Sequence, residues 1–111
     1  MSTEQRSAPR VELFAQVQVS NESDIYIMST SNISLGGVFI QGDPQEYPEI
    51  QADMVLDLVI FPTEELDATD VHLSAKVVRI SADEDAGFGL QFASISEEQT
   101  TALERLLQAA G

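Results

Sequence analysis

From Val11 the chain alternates. Val11, Leu13, Ala15, Val17 and Val19 fall between Glu12, Gln16, Gln18 and Ser20, with Phe14 breaking the polar set. Period two marks a strand with one buried face. Ser20 to Asp24 has the composition of a turn. Ile25 to Ser29 reads as a second strand and Val38 to Ile40 as a short third. Pro44 and Pro48 make Gly42 to Asp53 a loop. Met54 to Phe61 is a strand with Met54, Leu56, Leu58 and Ile60 on one face. Val71 to Ile80 is a longer one, with Val71, Leu73, Ala75, Val77 and, by continuation, Arg79 on one side. After an acidic turn, Gly87 to Phe92 is the last, turning Phe88, Leu90 and Phe92 inward, with Gly89 marking a close approach or a bulge. The period then changes. Ser96 is an N-cap, Gln99 completes a capping-box spacing, and Leu103, Leu106 and Leu107 share one face of a helix over 96–109.

Six strand-like runs with short connections predict an all-β fold, a six-stranded antiparallel barrel closed or nearly closed, with a short C-terminal α-helix at one end or side. Residues 1–10 are polar and read as a flexible arm, leaving 11–111 as one barrel domain. A length of 111 residues suits a single domain.

Charge narrows the partners. With 19 acidic and 5 basic residues the net charge is −14. Such a surface repels nucleic-acid polymers and anionic membranes, since phosphate recognition needs clustered Lys and Arg. The most apolar run, Met54 to Phe61, contains Asp57 and is far below the ~20 residues of a membrane helix. The first residues hold no apolar stretch, so a cytoplasmic protein without membrane insertion is expected. Without cysteine there is no disulfide or thiol nucleophile. One histidine, His72, and no H-x-x-x-H spacing leave no zinc set, and Asp83-Glu84-Asp85 lacks the spacing of a calcium loop. No catalytic constellation can be assembled, so neither an enzyme nor a resident cofactor or metal is expected.

Against this acidity two short motifs stand out. Arg6-Ser7-Ala8-Pro9-Arg10 is an R-x-x-x-R on the arm, and Asn32-Ile33-Ser34-Leu35-Gly36-Gly37 is an N-x-S-x-x-G between strands. Asn32 lies 22 residues after Arg10, a span that a strand-turn-strand hairpin folds back on itself. Arginine presents a planar fork that fits phosphate oxygens and the O6/N7 edge of guanine, and it stacks on bases. Asn and Ser can bond base edges, and Gly36 and Gly37 permit unusual backbone or a close ligand. Taken singly, each motif has a plain alternative: a solvated arm for the arginines, a tight turn for Asn32, Ser34 and the glycines.

Together, in this order and within an all-β pattern, the motifs resemble the PilZ domain family. The similarity continues through Val38-Phe39-Ile40, Ala75 to Ile80, Gly87 to Phe92 and the closing helix. It implies a cyclic di-GMP receptor. Arg6 and Arg10 would hold phosphates and guanine, and Asn32, Ser34, Gly36 and Gly37 would line the barrel under the ligand. Ligand binding would order the arm and reshape a surface read by an unidentified protein partner in bacterial motility, pilus, exopolysaccharide or biofilm signalling. Arg79 is a further candidate contact, although a solvent-facing strand cation is its commoner role. The rival reading is an interaction module of the same fold that does not bind the nucleotide. Phe39 and the other phenylalanines read as core or rim.

Overall fold

In the computed structural model, residues 11–22, 24–62, 70–82, 86–93 and 95–110 are described. The strands are β1 (Val11–Glu12), β2 (Gln16–Ser20), β3 (Ile25–Ile33), β4 (Gly37–Gln41), β5 (Val55–Phe61), β6 (Val71–Ser81) and β7 (Gly87–Phe92). The helix α1 covers Glu97–Ala110.

All strand pairs are antiparallel, in the order β3, β2, β5, β6, β7, β4. Pairing of β3 with β4 closes the ring. The result is a six-stranded barrel, with β1 as an additional strand on the far end of β3. Closure leaves few open edges.

The inward residues make one core. Val17, Val19, Ile33, Ile40, Leu58, Ile60, Val71, Val77 and Phe88 are almost completely buried. Each such side chain contributes about 1.5–3 kcal/mol through removal from water. Leu103 and Leu106 of α1 are fully buried against the same core, with the helix lying on β6 and β1. The capping box forms as expected: the Gln99 N–H donates to Ser96 Oγ at 3.1 Å and the Ser96 N–H to Gln99 Oε1 at 2.8 Å. Gln99 also donates from Nε2 to the His72 carbonyl at 2.9 Å, which ties the first helical turn to β6.

Four local features depart from the sequence pattern. The run 11–20 is not one strand. Burial still alternates, with Leu13 and Ala15 buried and Phe14 63% exposed, but the ladder is broken between Glu12 and Gln16. Thr30, completely buried, fills the break. Its hydroxyl donates to the Leu13 carbonyl and accepts from the Ala15 N–H at 3.0 Å. Buried backbone groups without partners are costly, and one threonine hydroxyl here serves two of them.

Next, β3 runs on to Ile33, so Asn32 belongs to a strand and not to a loop. Then β6 carries a register shift between Val77 and Arg79. A bulge inserts one residue and reverses the facing of the residues beyond it. Val77 is buried, whereas Val78 and Arg79 are exposed, so Arg79 does not continue the inward face. Finally, no described glycine has positive φ; that conformation belongs to Asp53, at 71°. The need for glycine at position 37 is instead one of space. A Cβ there would collide with the Leu90 carbonyl of the neighbouring strand.

Candidate functional site

Residues directly opposite each other in antiparallel strands point to the same side. Tracing the register across five strands gives one continuous row. Glu12 on β1 faces Asn32 on β3, Asn32 faces Phe39 on β4, Phe39 faces Gly89 on β7, and Gly89 faces Arg79 on β6. Glu12 and Arg79 are exposed and Asn32, Phe39 and Gly89 are half-buried, so the row lies on the outer wall.

The middle of the row is an aromatic platform. Phe39 lies against β7 where Gly87 and Gly89 carry no side chains: a Cβ at Gly87 would strike the Phe39 ring. Gly89 also leaves space for Arg79, whose Cβ is 3.3 Å from where a Gly89 Cβ would be. The Arg79 guanidinium carbon then sits 5.9 Å from the Phe39 ring centroid, a cation–π distance. Sequence alone reads Phe39 as core or rim. The signal that could have marked it is the Gly-x-Gly of β7, which leaves room for an aromatic ring from a neighbouring strand.

The adjoining turn, Ser34 to Gly36, is occupied with itself. The Ser34 hydroxyl accepts from the Gly36 N–H at 3.1 Å and reaches the Gly37 carbonyl at 3.5 Å. The Ser34 N–H donates to the Gly37 carbonyl at 2.9 Å, and the Gly36 carbonyl accepts from Phe92 N–H at 3.0 Å. Ser34 is buried and holds the turn. Gly36 is exposed, and the nearest atom to a Cβ placed there is Ser34 Oγ at 3.9 Å, so the surface above it is open. Asn32 Nδ2 is 3.5 Å from the Ser31 hydroxyl.

Of the sequence candidates, Asn32, Ser34, Gly36 and Gly37 are therefore contiguous, and Arg79 reaches the same wall through Phe39. Arg6 and Arg10 lie outside the described residues. What the structure does give is the point where their segment joins the barrel: Val11 pairs with Ile33 and Glu12 with Asn32.

Lys76 occupies the adjacent outer row, facing Gln91, which in turn faces Gly37. It forms an exposed ion pair with Asp53 at 3.6 Å. Among the described residues, Tyr26 is the group with a displaced pKa. Desolvation, and then the carboxylates of Asp24 and Glu49, push its phenol up. It belongs to a cluster with Tyr47 and Phe88 and not to the row, being paired with Val19 on the inward-facing set. Among the described residues no group of three or more His, Asp or Glu is placed to hold a metal.

A closed six-stranded barrel with a helix at its side and a polar-aromatic row on its outer wall is the class of structure these elements define. Comparison with known proteins gives its family. The PilZ domain profile matches residues 4–109, and the chain belongs to the PilZ domain family. PilZ domains are a family of cyclic di-GMP receptors and are generally non-catalytic binding modules.

No curated protein matches by sequence. Among solved structures, the chain is similar to the Bacillus subtilis inhibitor of motility MotI/DgrA, with a TM-score of 0.78 and 24% identity over 97% of this chain and 50% of that one. The PilZ domain of Escherichia coli YcgR with c-di-GMP superposes with a TM-score of 0.76 at 14% identity, covering 96% of this chain and 92% of that one. The Klebsiella MrkH–c-di-GMP complex gives 0.73 at 17% identity, covering 96% and 51%. The chain thus spans about half the length of MotI/DgrA and MrkH. No described helix is long and apolar enough to cross a membrane.

Proposed function

We propose that this domain is a cyclic di-GMP receptor that acts through a protein partner and catalyses no reaction. The observation that carries the reading is the place where the N-terminal segment meets the barrel. Glu12 is paired with Asn32, so Arg10 is two residues, and Arg6 six, from the outer row. An extended chain covers about 3.3–3.6 Å per residue, so both arginines have the reach to close over a dinucleotide seated on that wall. Their guanidinium groups would take phosphates and guanine O6/N7. Asn32 would bond a base edge, and Phe39 with Arg79 would offer a stacking surface. Ser34 and Gly37 would act through the shape of the turn, and Gly36 by leaving its surface clear.

Binding would pin residues 1–10 to the barrel and so create a surface that a partner recognises. A cytoplasmic location and an output such as motility, pilus, exopolysaccharide or biofilm control belong to the same reading; MotI/DgrA is itself named as an inhibitor of motility. The rival, an interaction module without nucleotide, draws support from the net charge of −14, which opposes an anionic ligand.

Calorimetric titration with cyclic di-GMP separates the two. A charge-assisted hydrogen bond is worth roughly 1.5–3 kcal/mol, so Arg10→Ala should weaken binding by about one to two powers of ten. Binding insensitive to that change contradicts the assigned site. Absence of binding by the unmodified protein favours the interaction module.

A further inference from the structure

The outer row begins with a carboxylate. Glu12 is exposed, lies on the outward face, and is the residue directly opposite Asn32. Directly opposed residues have Cβ atoms about 4.5–5.5 Å apart, so the two side chains reach one base together. From the position of this row, and resting on the receptor reading above, we infer that Glu12 determines specificity for guanine.

The chemistry comes from the two edges of the base. Guanine offers acceptors at O6 and N7, which arginine reads. Its opposite edge carries donors, N1–H and the 2-amino group, which require acceptors. Asn32 has one amide oxygen for that purpose, and its Nδ2 can only donate. Arg79 has no acceptor, and Phe39 and Gly89 have no polar side-chain atom. Glu12 supplies two carboxylate oxygens, the only ionised acceptor in the row, and matches two parallel donors. Adenine reverses the pattern at N1, where a lone pair would face the carboxylate. A negative charge beside an anionic ligand is otherwise unfavourable, and donor recognition is the interaction that would offset it.

This role differs measurably from two others that the same carboxylate could have. A carboxylate that merely repelled phosphates would weaken every cyclic dinucleotide alike. One that merely held Arg10 in place would strengthen every cyclic dinucleotide alike. Glu12→Gln and Glu12→Ala, which alter an exposed side chain and should melt like the unmodified protein, are titrated with cyclic di-GMP and cyclic di-AMP. We expect the preference for the guanine ligand to fall about 10–100-fold in both variants, through weaker cyclic di-GMP binding. An unchanged preference overturns the inference, whether both ligands tighten or both weaken. If the unmodified protein binds neither ligand, the receptor reading fails and this inference with it. Binding of cyclic di-GMP with unchanged preference removes only the role of Glu12.

Discussion

Two neighbouring rows cross the same five strands, one residue apart on β1, β3, β4 and β7 and two apart on β6, where the bulge lies. The inner row is Val11, Ile33, Val38, Leu90 and Val77; the outer is Glu12, Asn32, Phe39, Gly89 and Arg79. Ile33, Val38, Leu90 and Val77 are buried, while no side chain of the outer row is. Strand pleating therefore sets the core row and the row proposed for recognition within the same strands. On four of these strands, moving one residue along the chain passes from the core to the surface proposed to meet the ligand; on β6 the bulge makes it two. The corollary is that inner-row substitutions should act on unfolding and outer-row substitutions on binding.

The largest effect should come from Ile33→Ala. Ile33 is completely buried, and truncation leaves a cavity, so unfolding free energy should fall by about 2–5 kcal/mol in chemical denaturation. If the loss were below about 1 kcal/mol, the inner row would not be the structural one. Thr30→Val comes next. It preserves shape but leaves the Leu13 carbonyl and the Ala15 N–H without their hydroxyl partner, at a cost of about 1–3 kcal/mol. A stability like that of the unmodified protein would show that the break between β1 and β2 is satisfied in some other way. Arg79→Ala sharpens the contrast from the other side. Its side chain is exposed and stacked on Phe39, so stability should change by no more than about 1 kcal/mol, the worth of an exposed cation–π contact. Cyclic di-GMP affinity should drop by about threefold to tenfold, as the guanidinium's contacts with the ligand are lost. A variant that unfolds readily yet binds normally would reverse the assignment of the two rows.

Much of this architecture is legible in the sequence because it is local. Alternation along 71–77 and 87–92 specifies which side chains turn inward, since a strand repeats every two residues. Ser96 and Gln99 announce the helix because capping involves groups three residues apart. The features that escape a sequence reading depend on distant partners. The break at 13–15 is made possible by Thr30, 15 residues beyond Ala15. The facing of Arg79 depends on a bulge whose register is set by β7. Phe39 looks like any strand aromatic until two glycines on another strand give its ring a place to lie.

The same division holds for the candidate site. Asn32, Ser34, Gly36 and Gly37 can be picked out because they are close in sequence, and the hairpin between Arg10 and Asn32 predicts that their two segments meet. The structure separates their roles. Ser34 is committed to its turn and Gly37 to the close passage of β4 beside β7, whereas Asn32 shares an outward row with Glu12, Phe39 and Arg79.

By itself, the chain's pattern determined the class of fold, the inward faces and the two motifs, because these arise from periodicity and from chemistry within a few residues. Only tertiary structure decided that Glu12, Asn32, Phe39 and Arg79 stand in line. Their alignment comes from inter-strand register, which depends on hydrogen bonding between segments far apart in sequence and on a bulge that no single segment specifies.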